Sequence, residues 1–309
     1  MLDKTVFEAS DASIRCLAIL FGLVILVTLN RASALPKTFV GVQIGCAVAM
    51  MMYSAAALVL GSLHSALFSE QQRPLAFDNF LLNTSFFVDG LLYTILSCLE
   101  TFLRLESHQF RMVSKYKTVT VCMLINIVLK ASLATALIRL TPFDLGNIPR
   151  FVELAESVQL WVLIGYVVFV LSIATVVGVL FNYQIKQDSN SKGFVSNTEY
   201  GRLIESRQLF FFHVLPYALV LIAVFTIHLL LVHRLNDFEQ STTFTSLFYA
   251  TCPILFTIIH GLGTRKLRCT FLTTLKFWKE YRETVTKVRP FHADRSEVAV
   301  SQLYAIGVL

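Results

Sequence analysis

The stretch that decides the fold is TFVGVQIGCAVAMMMYSAAALVLGSLHSALFS, which runs from Thr38 to Ser69 without a single Asp, Glu, Lys or Arg. About 20 consecutive apolar residues are enough for a helix to cross the hydrocarbon core of a bilayer. Hydrophobic residues make up 55% of the 309 residues and charged residues only 15%, whereas soluble domains carry about 25% charged residues. The composition therefore predicts a membrane protein and argues against a soluble enzyme, a disordered chain and a nucleic-acid binder.

Six further stretches have the length and composition of membrane-spanning helices, so the predicted fold is an all-α bundle of seven transmembrane helices. Three of these stretches carry no charge: Ser157 to Ile185, Gln208 to His233 and Gln240 to Thr264. The other three contain or border a charge: about Ala12 to Asn30, about Asn79 to Arg104 and about Thr118 to Leu140. We expect Arg15, near the start of the first span, to extend toward the lipid headgroups. The connection from Lys186 to Arg207 is predicted to be a flexible aqueous loop.

The distribution of basic residues predicts the orientation, because Lys and Arg concentrate in cytoplasmic loops. Seven spans divide the connections and termini into two sets on opposite sides of the membrane. One set, which includes the C-terminal tail, holds 19 of the 26 Lys and Arg residues, and the other set holds six. The N-terminus is therefore predicted to lie outside the cell and the C-terminus in the cytoplasm of a multi-pass plasma-membrane protein.

The tail begins with a pattern that is typical of an amphipathic helix. Its apolar residues recur at spacings of four, four and three: Leu267, Phe271, Leu275 and Trp278. Basic residues fill much of the other face, which suits a short helix on the inner leaflet in contact with anionic lipid. Cys269 is a candidate palmitoylation site, with a plain thiol as the alternative. Residues 1–283 are predicted to form the membrane domain with this surface helix, and residues 284–309 a disordered tail.

Charged residues inside membrane spans are costly and usually functional. Asp89 and Lys130 lie at about equal depth in consecutive spans, so we expect them to pair directly or through a water; alternatively, Asp89 faces a wet ligand cavity. Glu100 precedes Arg104 by four residues, in the favourable order for an ion pair on one helix. This pair either restrains one end of the third span or marks a partly hydrated helix end.

Two other features of the spans are candidates for function. Pro216 removes a backbone hydrogen bond and is expected to kink the sixth span, as a hinge or as a packing adjustment. Tyr93 and Tyr217 are candidates to line a ligand pocket, although single tyrosines in a bundle are more often core residues. None of the six cysteines falls in a predicted extracellular loop, so no disulfide between such loops is expected.

Several short motifs give the chain a resemblance to G-protein-coupled receptors. Cys252-Pro253-Ile254-Leu255-Phe256 is similar to the Asn-Pro-x-x-Tyr element of rhodopsin-like receptors, with Pro253 matching and Phe256 in place of the Tyr. Glu100-Thr101-Phe102 occupies the place of the Asp/Glu-Arg-Tyr element, in which only the acid matches. The acidic sodium-site residue of span two and the extracellular disulfide of that class are absent. With its length near 300, the chain looks most like the divergent nematode serpentine chemoreceptors.

This resemblance implies a chemosensory receptor in the plasma membrane or in the ciliary membrane of sensory neurons. Its partners would be an environmental small molecule, a heterotrimeric G protein and membrane lipid, with receptor oligomers left open. The alternative is a polytopic transporter or channel that uses Asp89 and Lys130 as a substrate or proton path. The spans contain no nucleophile or metal-ligand motif, so neither an enzyme nor a bound cofactor or metal is expected.

Overall fold

The computed structural model of the chain describes residues 4–33, 35–67, 72–106, 112–140, 148–190, 197–234 and 238–275. Within these ranges, helix is the only regular secondary structure. The chain divides into two units, Met1–Phe271 and Leu272–Leu309, and the helical bundle belongs to the first. The predicted boundary between residues 283 and 284 lies outside the described ranges.

The described residues form nine α-helices and one π-helical turn. The α-helices are α1 Lys4–Arg31, α2 Lys37–Leu67, α3 Gln72–Glu106, α4 Lys115–Leu140, α5 Ile148–Asn190, α6 Asn197–Leu209, α7 Leu215–Arg234, α8 Phe238–Leu262 and α9 Arg265–Leu275. The π-helical turn Phe210–Val214 connects α6 directly to α7. Long apolar segments favour helix because a helix satisfies its backbone hydrogen bonds internally, where no water is present to do so.

Within the described ranges, six helical stretches are long and apolar enough to cross a membrane, as expected for a polytopic membrane protein. They are Ala9–Arg31, Lys37–Gly61, Leu82–Arg104, Val158–Tyr183, Leu203–Leu231 and Thr245–Leu262. The predicted fourth span forms α4, a helix of 26 residues, but α4 is not one of these six. The count of seven spans and the orientation of the termini therefore stay predictions.

The predicted aqueous loop from Lys186 to Arg207 is wrong, because most of this segment is helical. Helix α5 continues to Asn190, and α6 begins at Asn197. Once a helix has formed, each added residue gains a backbone hydrogen bond without a new nucleation cost. The polar composition after Ile185 therefore marks the end of the apolar stretch and not the end of the helix.

The bundle has polar residues inside and large apolar residues on its surface. Trp161 on α5 is 72% exposed and Leu124 on α4 is 61% exposed, whereas Glu100 and Arg15 are each only 2% exposed. Soluble proteins show the opposite tendency for charged residues. Buried charges under an apolar surface are what a lipid environment selects, because charges there face the bundle interior.

A glycine on α2 allows α4 to approach closely. A Cβ atom at Gly41 would lie 2.6 Å from Thr118 Cβ and 2.8 Å from the backbone oxygen of Lys115. Small residues allow membrane helices to pack backbone against backbone. Gly41 therefore sets the position of α4 beside α2, and with it the side chains that α4 directs toward α3.

Side-chain contacts show which helix ends lie together. Thr38 at the start of α2 contacts Glu100 near the end of α3, and Lys115 at the start of α4 contacts Asn30 near the end of α1. We call this side of the bundle the Glu100 end. The opposite side, where Arg15 of α1 contacts the first turns of α8, is called the Arg15 end.

Candidate functional site

Asp89, Asn126 and Lys130, which we call the Asp89 cluster, join α3 to α4. Lys130 Nζ lies 2.9 Å from Asp89 Oδ2, and Asn126 Nδ2 donates a hydrogen bond of 2.9 Å to Asp89 Oδ1. Asp89 and Asn126 are buried, and the Lys130 side chain is 38% exposed. The pairing of Asp89 with Lys130 that the sequence predicts is therefore present, and both carboxylate oxygens have partners.

Asn126 is a member of this cluster that the sequence analysis missed. It lies one helical turn before Lys130 on the same face of α4, so the i,i+4 spacing could have identified it. Its amide donates to the carboxylate oxygen that Lys130 does not contact. A buried carboxylate needs several hydrogen-bond donors, so a polar residue one helical turn from its cationic partner indicates a second donor to the same carboxylate.

Glu100, Arg104 and Thr38, which we call the Glu100 cluster, join the end of α3 to the start of α2. Arg104 Nε lies 3.1 Å from Glu100 Oε1, and Thr38 Oγ1 donates a hydrogen bond of 2.6 Å to the same oxygen. All three residues are buried, with Glu100 only 2% exposed. This burial rules against the interpretation of Glu100 as a hydrated helix end.

The two carboxylate oxygens of Glu100 differ in their hydrogen bonding. Oε2 is buried and has no hydrogen-bond partner among the described residues. An unmade hydrogen bond to a buried charged group costs free energy that the contacts of Oε1 must offset. The hydrogen bonds that Glu100 accepts from the described residues therefore fall on Oε1 alone.

The tyrosines proposed as pocket residues lie in the core of the bundle. Tyr93 on α3 is 2% exposed, and its hydroxyl contacts Met123 Sδ at 3.6 Å. Tyr217 on α7 is 4% exposed, and its hydroxyl contacts Met50 Sδ at 3.7 Å. Thioether sulfur is a weak acceptor. These contacts are those of packed core residues, so neither tyrosine is shown to line an open pocket.

The expected distortion at Pro216 takes the form of a widened helical turn. The π-helical turn Phe210–Val214 ends two residues before Pro216. The proline ring would clash with the carbonyl group four residues earlier in a regular α-helix, and a widened turn relieves that clash. His213 within this turn is fully buried, with its ring centroid 5.2 Å from that of His260 on α8.

Pro253 and Phe256, the residues that carry the resemblance in the last span, both lie on α8, and Phe256 contacts α7. Pro253 is inside α8 and is buried. The Phe256 ring stacks on His260 with centroids 4.0 Å apart and meets Tyr217 edge-on at 5.0 Å. Phe256 thus connects the helix that contains Pro253 to the helix that contains Pro216.

The prediction that Arg15 extends to the headgroups is wrong, because Arg15 is 2% exposed inside the bundle. Its Nε donates to Asp11 Oδ2 at 2.7 Å, its Nη2 donates to Ser246 Oγ of α8, and its Cζ lies 5.4 Å from the ring centroid of Tyr53. We call these four residues the Arg15 cluster. Ser246 lies 231 positions from Arg15, so no local sequence pattern could have identified this contact.

The cysteines and the surface helix can be placed only in part. All six cysteines are free, and Cys269 at the start of α9 is exposed. Of the four residues predicted for the apolar face of α9, Leu267 and Phe271 are buried, Leu275 is 43% exposed, and Trp278 lies outside the described residues. The exposure of Cys269 is compatible with palmitoylation and does not test it.

Three polar clusters therefore occupy the interior of an apolar helical bundle, two of them at opposite ends and one between α3 and α4. Among the described residues, no group of three or more His, Cys, Asp or Glu side chains is arranged to hold a metal ion. No protein-family model matches the chain, and no curated protein matches its sequence.

Proposed function

We propose that the chain is a seven-transmembrane receptor that binds a small molecule from outside the cell and activates a heterotrimeric G protein. The observation that carries this proposal is the Glu100 cluster, a buried ion pair near the end of α3 that also bonds to α2. A receptor needs a cytoplasmic contact that holds the resting state and can be exchanged for another. The unsatisfied Oε2 of Glu100 fits such an exchangeable contact.

The proposal takes α4 as a seventh span. Helix α4 has 26 residues, which at 1.5 Å each is enough to cross the hydrocarbon core. Its Lys130 is paired with a buried carboxylate, and that pairing lowers the cost of a charge in the membrane. With seven spans, the 19-to-6 distribution of basic residues puts the Glu100 end in the cytoplasm and the Arg15 end outside.

The path for a structural change in this proposal runs through α7 and α8. The π-helical turn before Pro216 is a break in the regular hydrogen-bond ladder, and such turns are frequent at functional sites. Phe256 and His260 of α8 pack against Tyr217 and His213 beside this break. A ligand that changes the packing of α7 against α8 would therefore act on the Glu100 end.

The transporter or channel alternative receives less support from the geometry. A path for protons or substrate would need an accessible oxygen on Asp89. Both oxygens of this carboxylate have partners, Lys130 at 2.9 Å and Asn126 at 2.9 Å. The Asp89 cluster is thus better explained as the junction between α3 and α4.

The experiment that tests the receptor proposal measures guanine-nucleotide exchange by purified G proteins in the presence of the protein in nanodiscs. Glu100→Gln removes the charge that holds Arg104 and should raise basal exchange per folded receptor about five-fold or more, the scale of a typical coupling free energy. Asp89→Asn is the matched control, since it removes a carboxylate from the same helix away from the Glu100 end. Basal exchange that is unchanged in Glu100→Gln across the G-protein classes would contradict the proposal.

A further inference from the structure

Helix α3 carries an apolar stripe that is exposed in the described part of the bundle. Its residues recur at the helical spacings of four, three and four, and they are Leu92, Leu96, Leu99 and Leu103. Leu99 is 50% exposed and Leu103 is 36% exposed, and the other two are half-buried. Ile95, which borders them, is 45% exposed. We call these five residues the α3 stripe.

The α3 stripe lies between the sides of α3 that contact α4 and α5. On one side, Asp89 accepts a hydrogen bond from Asn126 of α4. On the other side, Thr84 Oγ1 accepts a hydrogen bond of 3.0 Å from Gln159 of α5. A helix turns by about 100° per residue, so Asp89 and Thr84 are about 140° apart around α3, and the stripe falls within that arc. Helices α4 and α5 are therefore the walls of a groove whose floor is the α3 stripe.

The walls of this groove are apolar as well. Ile127 of α4 is 62% exposed, and Val162 of α5 is 39% exposed. A Cβ atom at Gly165 would meet no atom within 4 Å, so α5 leaves space beside Val162. The floor extends for about 16 Å from Leu92 to Leu103 at the rise of an α-helix. The groove thus has the length and the composition to hold an extended apolar chain.

Lys130 provides a cation at one end of the groove. Asp89 precedes Leu92 by one helical turn, and Lys130 Nζ donates to Asp89 Oδ2 at 2.9 Å. An ammonium group has three N–H donors, and Asp89 is the hydrogen-bond partner of Lys130 among the described residues. The Lys130 side chain is still 38% exposed. Its ammonium can therefore be reached from outside the bundle at the point where the groove begins.

The depth of this cation determines which molecules can reach it. Asp89 lies about 10 Å inside the end of the span Leu82–Arg104, within the hydrocarbon core of a bilayer. A charged or zwitterionic headgroup would have to leave water to reach that depth, which is costly. An added carboxylate would also leave a net negative charge beside the neutral pair of Asp89 and Lys130. A single carbonyl oxygen costs much less to transfer and still accepts a hydrogen bond from an ammonium.

We propose that this groove binds a neutral long-chain molecule from the bilayer, with its chain along the α3 stripe and a carbonyl oxygen that accepts a hydrogen bond from Lys130 Nζ. Long-chain esters and ketones belong to this class. The proposal rests on α4 as a membrane span, which the proposed function also assumes, but it requires no coupling to a G protein. The exchange assay of Glu100→Gln is run without such a molecule, so a failure of either test leaves the other result standing.

The test uses the full chain in nanodiscs and a photoreactive methyl palmitate that carries a diazirine in its chain. After irradiation, mass spectrometry identifies the labelled peptides, and the label should lie on the segment from Leu92 to Leu103. Unlabelled methyl palmitate, hexadecane and palmitate are titrated as competitors, each expressed per mole of lipid. Methyl palmitate should compete about ten-fold better than hexadecane, since it gains a hydrogen bond to a charged donor, and palmitate should compete no better than hexadecane.

Two pairs of variants locate the site. Leu99→Trp fills the floor of the groove with a larger side chain and should remove most of the labelling. Leu20→Trp is the matched control on α1, where Leu20 is 57% exposed, and it should leave the labelling unchanged. Lys130→Met should abolish the preference for methyl palmitate over hexadecane, whereas Lys130→Arg keeps a charged donor and should retain it.

Three results would overturn the proposal. Equal competition by methyl palmitate and hexadecane in the unaltered chain would exclude the hydrogen bond to Lys130. An equal loss of labelling in Leu99→Trp and Leu20→Trp would exclude the groove as the site. Stronger competition by palmitate would assign an anionic lipid to Lys130 instead. The competition series and the two tryptophan variants leave Lys130 intact, so they decide the question even where Lys130→Met fails to fold.

Discussion

Removing either charge of the Asp89 cluster should destabilise the protein by unequal amounts. Lys130→Met leaves the Asp89 carboxylate, which is 5% exposed, without a cationic partner. Breaking a buried ion pair in this way costs about 3–5 kcal/mol. Asp89→Asn instead leaves Lys130, whose side chain is 38% exposed and can extend its ammonium along a flexible stem toward a more polar region. We therefore expect Asp89→Asn to lower the free energy of unfolding by less than Lys130→Met does.

The double variant should recover much of the loss, because no charge then remains unpaired. The coupling free energy between two residues in direct contact is about 0.5–3 kcal/mol, and the burial of Asp89 places this pair toward the upper part of that range. The stability of the two single variants and of the double variant is measured by thermal unfolding of the purified proteins and by surface expression in cells. Glu205 and Lys266 provide the matched control, since they also lie 2.9 Å apart but are 26% and 56% exposed.

The control pair should show a coupling below about 1 kcal/mol, as exposed ion pairs do. Strict additivity of Asp89→Asn and Lys130→Met would refute the pairing as a source of stability. In that case the 2.9 Å contact would carry no stabilising free energy, and Asp89 would become the leading candidate for direct contact with a ligand. A larger loss of stability in Asp89→Asn than in Lys130→Met would contradict the expectation that the more exposed Lys130 tolerates the loss of its partner better than Asp89 does.

Two further predictions concern topology and packing. An epitope tag before Met1 should stain intact cells and one after Leu309 should require permeabilisation; the reverse pattern would exclude the proposed orientation and the receptor function with it. Gly263→Ala should destabilise the protein by about 1–3 kcal/mol in thermal unfolding, because its Cβ would lie 2.6 Å from His213 Cε1 and 2.8 Å from the Ile259 carbonyl oxygen. Gly61→Ala, whose Cβ would meet no atom within 4 Å, should be neutral or stabilising by up to about 1 kcal/mol, and an equal loss in both variants would show that the His213 contact is not the cause.

The features that could be predicted from the sequence are those that follow from position along a helix. The depths of Asp89 and Lys130 follow from counting residues inward from the helix ends, and the rise per residue is nearly constant. Glu100 and Arg104 share one helix at a spacing of four, so their contact needs no knowledge of the fold. The apolar face of α9 likewise follows from periodicity.

The features that were missed depend on neighbours that are distant in sequence. A single arginine near a helix terminus is compatible with the headgroup region, and only the position of α8 beside α1 shows that Arg15 turns inward to Ser246. Thr38 contacts Glu100 across 62 positions, and no local pattern predicts that. Pro216 identified the place of the irregularity in its span, but a proline alone does not distinguish a bend from a widened turn.

The π-helical turn Phe210–Val214 has a consequence for the two halves of the helix that contains it. A π turn accommodates about one more residue than an α turn, so the residues after it lie about 100° back from where an uninterrupted α-helix of the same sequence would place them. Tyr217, Leu221 and Phe225 on α7 are all nearly fully buried in this register. Deletion of one residue from the turn would let a regular α-helix join the two halves with both in their present registers, whereas the same deletion elsewhere in α7 would rotate the positions after it by about 100°.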